Sequence, residues 1–372
     1  MIKRLLQQHI EAKLNTQKVS LLLGARRVGK TALLQTIYRQ YANTALWLNG
    51  EDADVLKLLE ERSAANYERL LNGKSLLIID EAQYVPDIGR KLKLMIDTIR
   101  PLHIIITGSS AFDVQQSGEP LVGRTIAYYL YPIAQCELNE NLLQTKQRLE
   151  ERLVYGSYPE LWSIENANEK KQYLFELINT YLLKDILAFE DIRNPKKLKD
   201  LLLLIAHQIG HEVSLEELGR QLGMSKNTVE RYLDLLSKVF VIYNRRGYSK
   251  NLRKEIVKSQ RWYFFDNGVR NALTGNFSPL ALRQDVGQLW ENYALSERIK
   301  KNAYDKRIVN NYFWRTYDGQ EIDLIEEENA SIQAFECKWT ERSTKVPVAF
   351  KNAYPDAPFQ VISRENYLDW IV

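Results

Sequence analysis

The chain has 372 residues, 45% hydrophobic and 26% charged, with a formal net charge of +4. Such a composition excludes a disordered chain, and the length suggests two or three domains with room for real cores. The two cysteines, Cys136 and Cys337, lack metal-type spacing and argue against a disulfide-stapled secreted fold, while no run approaches the roughly 18 apolar residues of a membrane span, so a cytoplasmic protein without a membrane partner is expected.

Short apolar runs near 19–23, 45–48, 75–79 and 103–107 alternate with helix-period segments such as "TALLQTIYRQYA" and "DIGRKLKLMIDTIR". Buried strands alternating with helices predict a parallel sheet with helices on both faces over residues 1–140. Gly24-Ala25-Arg26-Arg27-Val28-Gly29-Lys30-Thr31 fits GxxxxGK[ST] between a strand and an amphipathic helix. Its glycines let backbone amides curl around phosphate oxygens, and the following helix aims its positive end at them. Lys30 is expected on the β and γ phosphates of ATP, and the Thr31 hydroxyl on Mg2+.

Downstream, "SLLIIDEAQ" ends a buried strand in Asp80 and Glu81, which puts two carboxylates at the same sheet edge. Asp80 is the second candidate magnesium residue and Glu81 the candidate base for the attacking water. "IIITGSS" sets Thr107 and Ser109 at the tip of the next strand as candidate γ-phosphate sensors. Arg124, in "LVGRT", is a candidate arginine finger, acting in cis or between subunits of a homo-oligomer; an ordinary surface arginine is an equal alternative.

Residues 141–205 read as a helical lid or connector, with "KKQYLFELINTYLLKDILAFEDI" the strongest stretch. His207 and His211, four apart with no third ligand, read as a helix-surface pair. In 206–275, "SLEELGRQLGMSKNTVERYLDLL" followed by "FVIYNRRGY" and "RWYFFD" predicts two helices, a tight turn at Gly223 and a hairpin, hence a winged helix-turn-helix. Leu218, Leu222, Met224, Val229, Leu233 and Leu236 supply its core. Ser225, Lys226, Asn227, Thr228 and Arg231 at the start of the second helix, with Arg245 and Arg246 in the basic wing, are candidate DNA contacts. A protein-binding winged helix is the alternative.

Residues 276–372 read as a small separate α/β domain. Asp323 closes "GQEID" on one strand and Glu336-Cys337-Lys338 lies on the next. Glu336 and Lys338, at period two, face the same side as Asp323. With Glu291 on the preceding helix (Glu297 its substitute), this is the pattern of the restriction-endonuclease-like fold. Two carboxylates there would bind Mg2+ or Mn2+, and Lys338 would orient water against a phosphodiester. Glu321 and the run 326–328 read as solvated charges.

"GARRVGKT", "LLIIDEAQ", "ITGSSA", "LVGRTIAYYLYPI" and "YGSYPELW", in that order, resemble the AAA-type P-loop ATPase family of archaea and bacteria that carries a C-terminal domain of unknown function. The resemblance implies ATP hydrolysis by Lys30, Thr31, Asp80 and Glu81, with Arg124 in the "GR" position; the polar sensor here is Thr or Ser rather than Asn. It also lends support to the restriction-endonuclease-like tail. The leading expectation is an ATP-hydrolysing protein that couples nucleotide state to its grip on DNA, branched or processed DNA being a plausible target. Alternatives are an ATP-licensed nuclease of defence or mobile-element biology, and a signalling ATPase with a protein partner.

Overall fold

The computed structural model describes residues 2–108, 121–182, 194–249, 260–340 and 344–372, and divides into two compact units, 1–131 and 132–372. The first unit is built on strands β1 (Val19–Leu23), β2 (Ala45–Asn49), β3 (Leu76–Asp80), β4 (His103–Gly108) and β5 (Thr125–Tyr129). Every described pairing is parallel and the order is β2-β3-β4-β1-β5. Central strands β1, β3 and β4 are buried at every position. Their unbroken Leu/Ile runs thus reflect burial on both faces rather than the alternation of a half-wet sheet.

Two consequences of the order matter for function. The strand before the glycine loop, β1, is separated by β4 from β3, the strand that ends in Asp80. All strands run the same way, so the ends of β1, β3 and β4 form one edge, and the start of β5 lies at the other.

The second unit packs helices against a seven-stranded mixed sheet. Its strands are β6 (Glu212–Val213), β7 (Ile242–Gly247), β8 (Gln260–Phe264), β9 (Asn310–Arg315), β10 (Glu321–Glu328), β11 (Ser331–Cys337) and β12 (Phe359–Ile362), in the order β12-β11-β10-β9-β7-β8-β6. Helix Leu215–Leu222 is capped by Ser214, whose side chain accepts from the Glu217 amide, and ends on Gly223 at φ 58. Helix Lys226–Lys238 follows, capped by Ser225 through the Thr228 amide. Antiparallel hairpin β7–β8 comes next.

The boundary expected at 275/276 does not separate two sheets. β7 pairs in parallel with β9 through Arg246–Tyr312 and Gly247–Phe313, so the hairpin continues into the C-terminal strands. A second departure concerns Glu326, expected to be solvated. It is 2% exposed and takes a two-pronged ion pair from Arg298 at 2.8 and 2.7 Å.

Glycines mark the tightest packing of the second unit. A Cβ on Gly156 would lie 2.0 Å from the Asp266 carboxylate, and one on Gly268 1.9 Å from the Tyr155 carbonyl oxygen. Asp266 accepts from the Ser157 and Val269 amides, joining "YGSYP" to "FFDNG". Asn267, Asn271 and Asn292 bind neighbouring backbone carbonyls in the same layer. These residues explain two motifs by packing rather than by chemistry.

Candidate nucleotide site and acidic centre

β1 delivers the chain into the glycine loop at Gly24, and Gly29 (φ 96) turns it into helix Lys30–Gln40. No side chain caps this helix, so its first amides are available to an anion. Gly24 is required by close approach: a Cβ there would lie 2.1 Å from the Leu130 carbonyl oxygen. Ala25 and Val28 are buried, Arg26 is half-buried and Arg27 is exposed at φ 63. Lys30 is buried, and its ammonium folds back onto the Gly24 and Ala25 carbonyls at 2.7 and 2.9 Å. Thr31 is exposed in the first turn.

Asp80 and Glu81 meet this edge through Thr107, which stands on the intervening strand β4. The Thr107 hydroxyl donates to Asp80 Oδ1 at 2.5 Å and accepts from the Glu81 amide at 2.7 Å. Glu81 leaves the strand in the left-handed region (φ 52), and Gln83 Nε2 donates to its carboxylate at 2.5 Å. Gly50, at the end of β2, makes room for this turn, since a Cβ there would sit 2.4 Å from the Glu81 carbonyl oxygen. Ser109 lies outside the described residues.

Arg124 is not brought to this edge. It precedes β5 next to Val19, so the length of a five-residue strand, about 16 Å, separates it from the glycine loop. There it forms a two-pronged ion pair with Asp97 at 2.7 and 3.1 Å. Within one chain it is no arginine finger. Sequence reasoning also passed over Arg4, which is 5% exposed and donates to the Val28 carbonyl at 2.7 Å and the Tyr131 carbonyl at 2.6 Å. Arg4 thereby ties the glycine loop to the segment after β5. No local signal identifies it, because both acceptors are backbone and far along the chain.

In the second unit, Lys226, Asn227, Arg231 and Arg246 are exposed, and Ser225 caps their helix by accepting from the Thr228 amide, with the two hydroxyls 2.8 Å apart. A groove of about 630 Å3 runs along this helix start, lined by Lys197, Ser225, Asn227, Thr228 and Arg231. Lys226 is held by Glu216 at 2.6 Å. Arg245 is a correction: at 1% exposure it faces inward between the Tyr243 and Tyr263 rings and cannot touch a surface ligand.

Glu291, Asp323, Glu336 and Lys338 come together. Asp323 and Glu336 are buried and stand one residue beyond the cross-strand pair Leu324–Phe335. Glu291 and Lys338 are partly exposed and mark the mouth. Asp323 Oδ2 accepts from the Cys337 amide at 2.8 Å, Glu291 from the Tyr263 hydroxyl at 2.7 Å, and Glu336 Oε1 from Lys338 at 2.6 Å. The other Glu336 oxygen is buried without a hydrogen-bond partner among the described residues.

Burial, then the Asp323 charge, pushes Glu291 up to about 8 and Glu336 up to about 7. Asp323 is raised by burial against the pull of the Cys337 amide, Lys338 and Arg261. The Cys337 thiol is raised by burial and then by Asp323, Glu291 and Glu336, with Arg245 opposing. Glu297, the substitute acid, lies elsewhere and pairs with Lys300 and the Gln135 amide. Glu321 pairs with Arg261 at 2.6 Å. Among the described residues no three His, Cys, Asp or Glu side chains form a ready metal cage, and no helix is long and apolar enough to cross a membrane.

The loop, the Thr107-linked acidic pair and the strand order give the first unit the parallel α/β fold of a P-loop domain. Residues 16–139 match the family described as AAA domain, while 146–280 and 286–366 match two families described as domains of unknown function (DUF8612 and DUF4143). Uncharacterized protein Rv2008c of Mycobacterium tuberculosis is 28% identical over 334 residues, 88% of this chain and 71% of that protein. An uncharacterized protein of Haemophilus influenzae is 27% identical, covering 86% of this chain and 82% of its own length. Among solved structures, Thermotoga maritima RuvB is 16% identical at a TM-score of 0.32, covering 64% of this chain and 87% of its own. A structure described as Drosophila ORC bound to AT-rich DNA and Cdc6 reaches 0.26 at 14% identity, covering 72% and 88%. Neither score is high enough to bear on fold or function.

Proposed function

We propose that the protein is an ATP-hydrolysing AAA-type switch that acts on DNA. The observation carrying the ATPase part is the Thr107 hydroxyl bridging Asp80 and the Glu81 amide. Backbone amides of 25–30 and Lys30 would hold the phosphates, while Thr31 and Asp80 would hold Mg2+, which supplies charge neutralisation on the transferred phosphoryl group. The donor set fits: an uncapped helix start, a buried ammonium satisfied by two loop carbonyls, and a carboxylate fixed in one rotamer. Glu81, angled by Gln83, would take the proton of the attacking water.

The DNA part draws support from the groove at the start of helix Lys226–Lys238 and from exposed Arg231 and Arg246, which suit phosphate contact by a winged helix-turn-helix. ATP turnover measured with single-stranded, duplex, forked and four-way DNA tests it. Stimulation by one of them, lost in Arg231→Ala with Arg246→Ala, is expected. Turnover indifferent to every nucleic acid would leave a protein partner for this face.

A second reading is that the acidic centre cuts a phosphodiester. The unpartnered Glu336 oxygen, two further carboxylates and Lys338 at a solvent-facing mouth favour it. Such hard oxygen donors fit Mg2+ or Mn2+, which would act as a Lewis acid on phosphate. Asp323 and Glu336 would be the holders, and Lys338 would orient water. Loss of Mn2+-dependent cleavage in Lys338→Ala with DNA binding retained is the result that would establish it.

A further inference from the structure

The first unit holds a second basic site. Helices Ala53–Glu60 and Ile88–Thr98 and the joint before helix Ala64–Leu71 enclose a groove of about 600 Å3. These elements follow β2 and β3, whereas the glycine loop follows β1, beyond β4. Lys57, Arg62, Arg90 and Lys91 line the groove together with Glu60 and Asp87. Lys57 is engaged by Asp54 at 3.1 Å, while Arg62 and Arg90 are exposed.

Lys91 differs from the other three. A surface lysine ordinarily runs its ammonium out into water. Lys91 is 6% exposed, and among the described residues its ammonium makes no hydrogen bond or ion pair, although it lines the groove. Burial pushes it below its usual value, Asp87 and Glu60 pull the other way without forming an ion pair, and Arg62 adds to the fall. Both acids are exposed, where solvent screens them, and Lys91 is not. The helix start adds to this field. Asp87 enters it in the left-handed region at φ 53 and its side chain makes no cap, so the positive end of an 11-residue helix lacks a side-chain acceptor.

A buried ammonium without a partner is costly, and an anion that brings acceptors into the groove removes that cost. The lining selects the anion. Two guanidinium forks and an ammonium suit the several oxygens of a phosphate. Leu56 and Pro86 complete the described lining, so no aromatic ring is there to stack a base. At about 600 Å3 the groove exceeds a free phosphate ion and leaves room for the sugars of a strand.

We propose that this groove binds the phosphodiester backbone of DNA without reading its bases, with Lys91 holding the phosphate. The inference rests on the reading that the protein acts on DNA, and it gives the ATPase unit a DNA contact of its own besides the winged-helix face. Pro86 and Asp87 follow Glu81 by one 3-10 turn, so the contact falls on the connection that carries the proposed base.

Fluorescence anisotropy with short labelled duplexes of two unrelated sequences tests this. The protein is the full chain carrying Arg231→Ala and Arg246→Ala, which silence the winged-helix face, with Mg2+ and a non-hydrolysable ATP analogue filling the glycine loop. Both duplexes are expected to bind equally. Lys91→Met should weaken both at least about 10-fold and flatten the slope of log affinity against log salt by about 0.9, the share of one phosphate. It keeps the buried stem and removes only the charge, so it should melt no lower than its parent. Where it does not melt cooperatively, Arg62→Ala with Arg90→Ala gives the same readout, since both side chains are exposed. Inorganic phosphate at equal phosphate concentration should not displace the duplex; displacement would make the groove an ion site and overturn the proposal. No residual binding by the Arg231→Ala/Arg246→Ala protein, unchanged affinity in a folded Lys91→Met, or Lys91-dependent binding of polyglutamate tighter than that of DNA also overturns it. Each of these leaves DNA action through the winged helix standing. Wild type that binds no DNA sinks the DNA reading, and this inference with it.

Discussion

Thr107 holds Asp80 by one side of its hydroxyl and the backbone of Glu81 by the other. A single β4 side chain therefore sets both the carboxylate proposed for Mg2+ and the turn that carries the proposed base. Thr107→Val keeps the shape and removes both bonds. It is expected to lower kcat for ATP hydrolysis about 10- to 100-fold with little change in ATP affinity, while Thr107→Ser retains most activity. Steady-state turnover with a separate binding titration would separate these effects, and an unchanged kcat in Thr107→Val would refute the role.

Arg4 spends two charged hydrogen bonds on backbone carbonyls, one of them inside the glycine loop. Removing it leaves both acceptors buried. Arg4→Ala is expected to cost about 2–4 kcal/mol of stability in denaturant melts and to weaken ATP binding. A loss of stability with ATP affinity intact would mean that the loop keeps its shape unaided.

Arg124, with its Asp97 partner at the far edge of the sheet, gives a sharp negative expectation. Arg124→Ala should leave the ATPase of dilute, monomeric protein unchanged. Any loss should appear only at concentrations where subunits associate, and mixing with Glu81→Gln should then restore part of the activity. A loss at every concentration, without rescue, contradicts this placement.

The acidic centre should leave its mark on stability as a function of pH. Glu291 is raised to about 8 from an ordinary value near 4.5, chiefly by burial and then by Asp323. A carboxyl with a raised folded pKa favours the folded state while protonated in it. That contribution is present at low pH and is lost as pH climbs from about 4.5 to about 8. Glu291→Gln keeps the acceptor for Tyr263 and removes the titration. The variant should be more stable than wild type at pH 8.5, by about 2 kcal/mol or more, and so melt higher there, while differing little at pH 4.5. Equal melting temperatures at pH 8.5 would show that the carboxylate is not strained there.

Two glycines separate packing from flexibility. Gly268→Ala drives a Cβ to 1.9 Å from a backbone oxygen and is expected to destabilise by about 3 kcal/mol. Gly287→Ala, in the first turn of helix Val286–Tyr304 with nothing within 4 Å, should stabilise by about 0.5–1 kcal/mol. Thermal melts of the two decide it.

What the chain made legible was local. The glycine loop and the strands "VSLLL", "LLIID" and "HIIITG" announce themselves because each is buried on both faces. Period-two spacing also forecast that Glu336 and Lys338 would share a side with Asp323. The misreadings share one cause, which is pairing between distant segments. In "IYNRRG" the alternation is visible, but which arginine turns inward depends on β7 joining β9 and on a helix 40 residues later closing the face. Hence Arg246 is exposed and Arg245 is not. Glu326 looked like one of three solvated glutamates until Arg298 supplied its partner. For Arg124 a signal existed: "GRTIAYY" opens a strand, and in a parallel sheet an opening residue cannot stand with residues that close their strands.

Two registered residue pairs, Arg246–Tyr312 and Gly247–Phe313, join the hairpin to β9, and the Tyr248 amide donates to the Phe313 carbonyl just beyond them. That seam makes the strands of the C-terminal half a single sheet. A gene fragment ending at residue 275 would expose the free edge of β7 to any passing chain, and one beginning at 276 would do the same for β9. Open edges of that kind recruit other chains, so a fragment carrying one side of the seam alone is expected to aggregate.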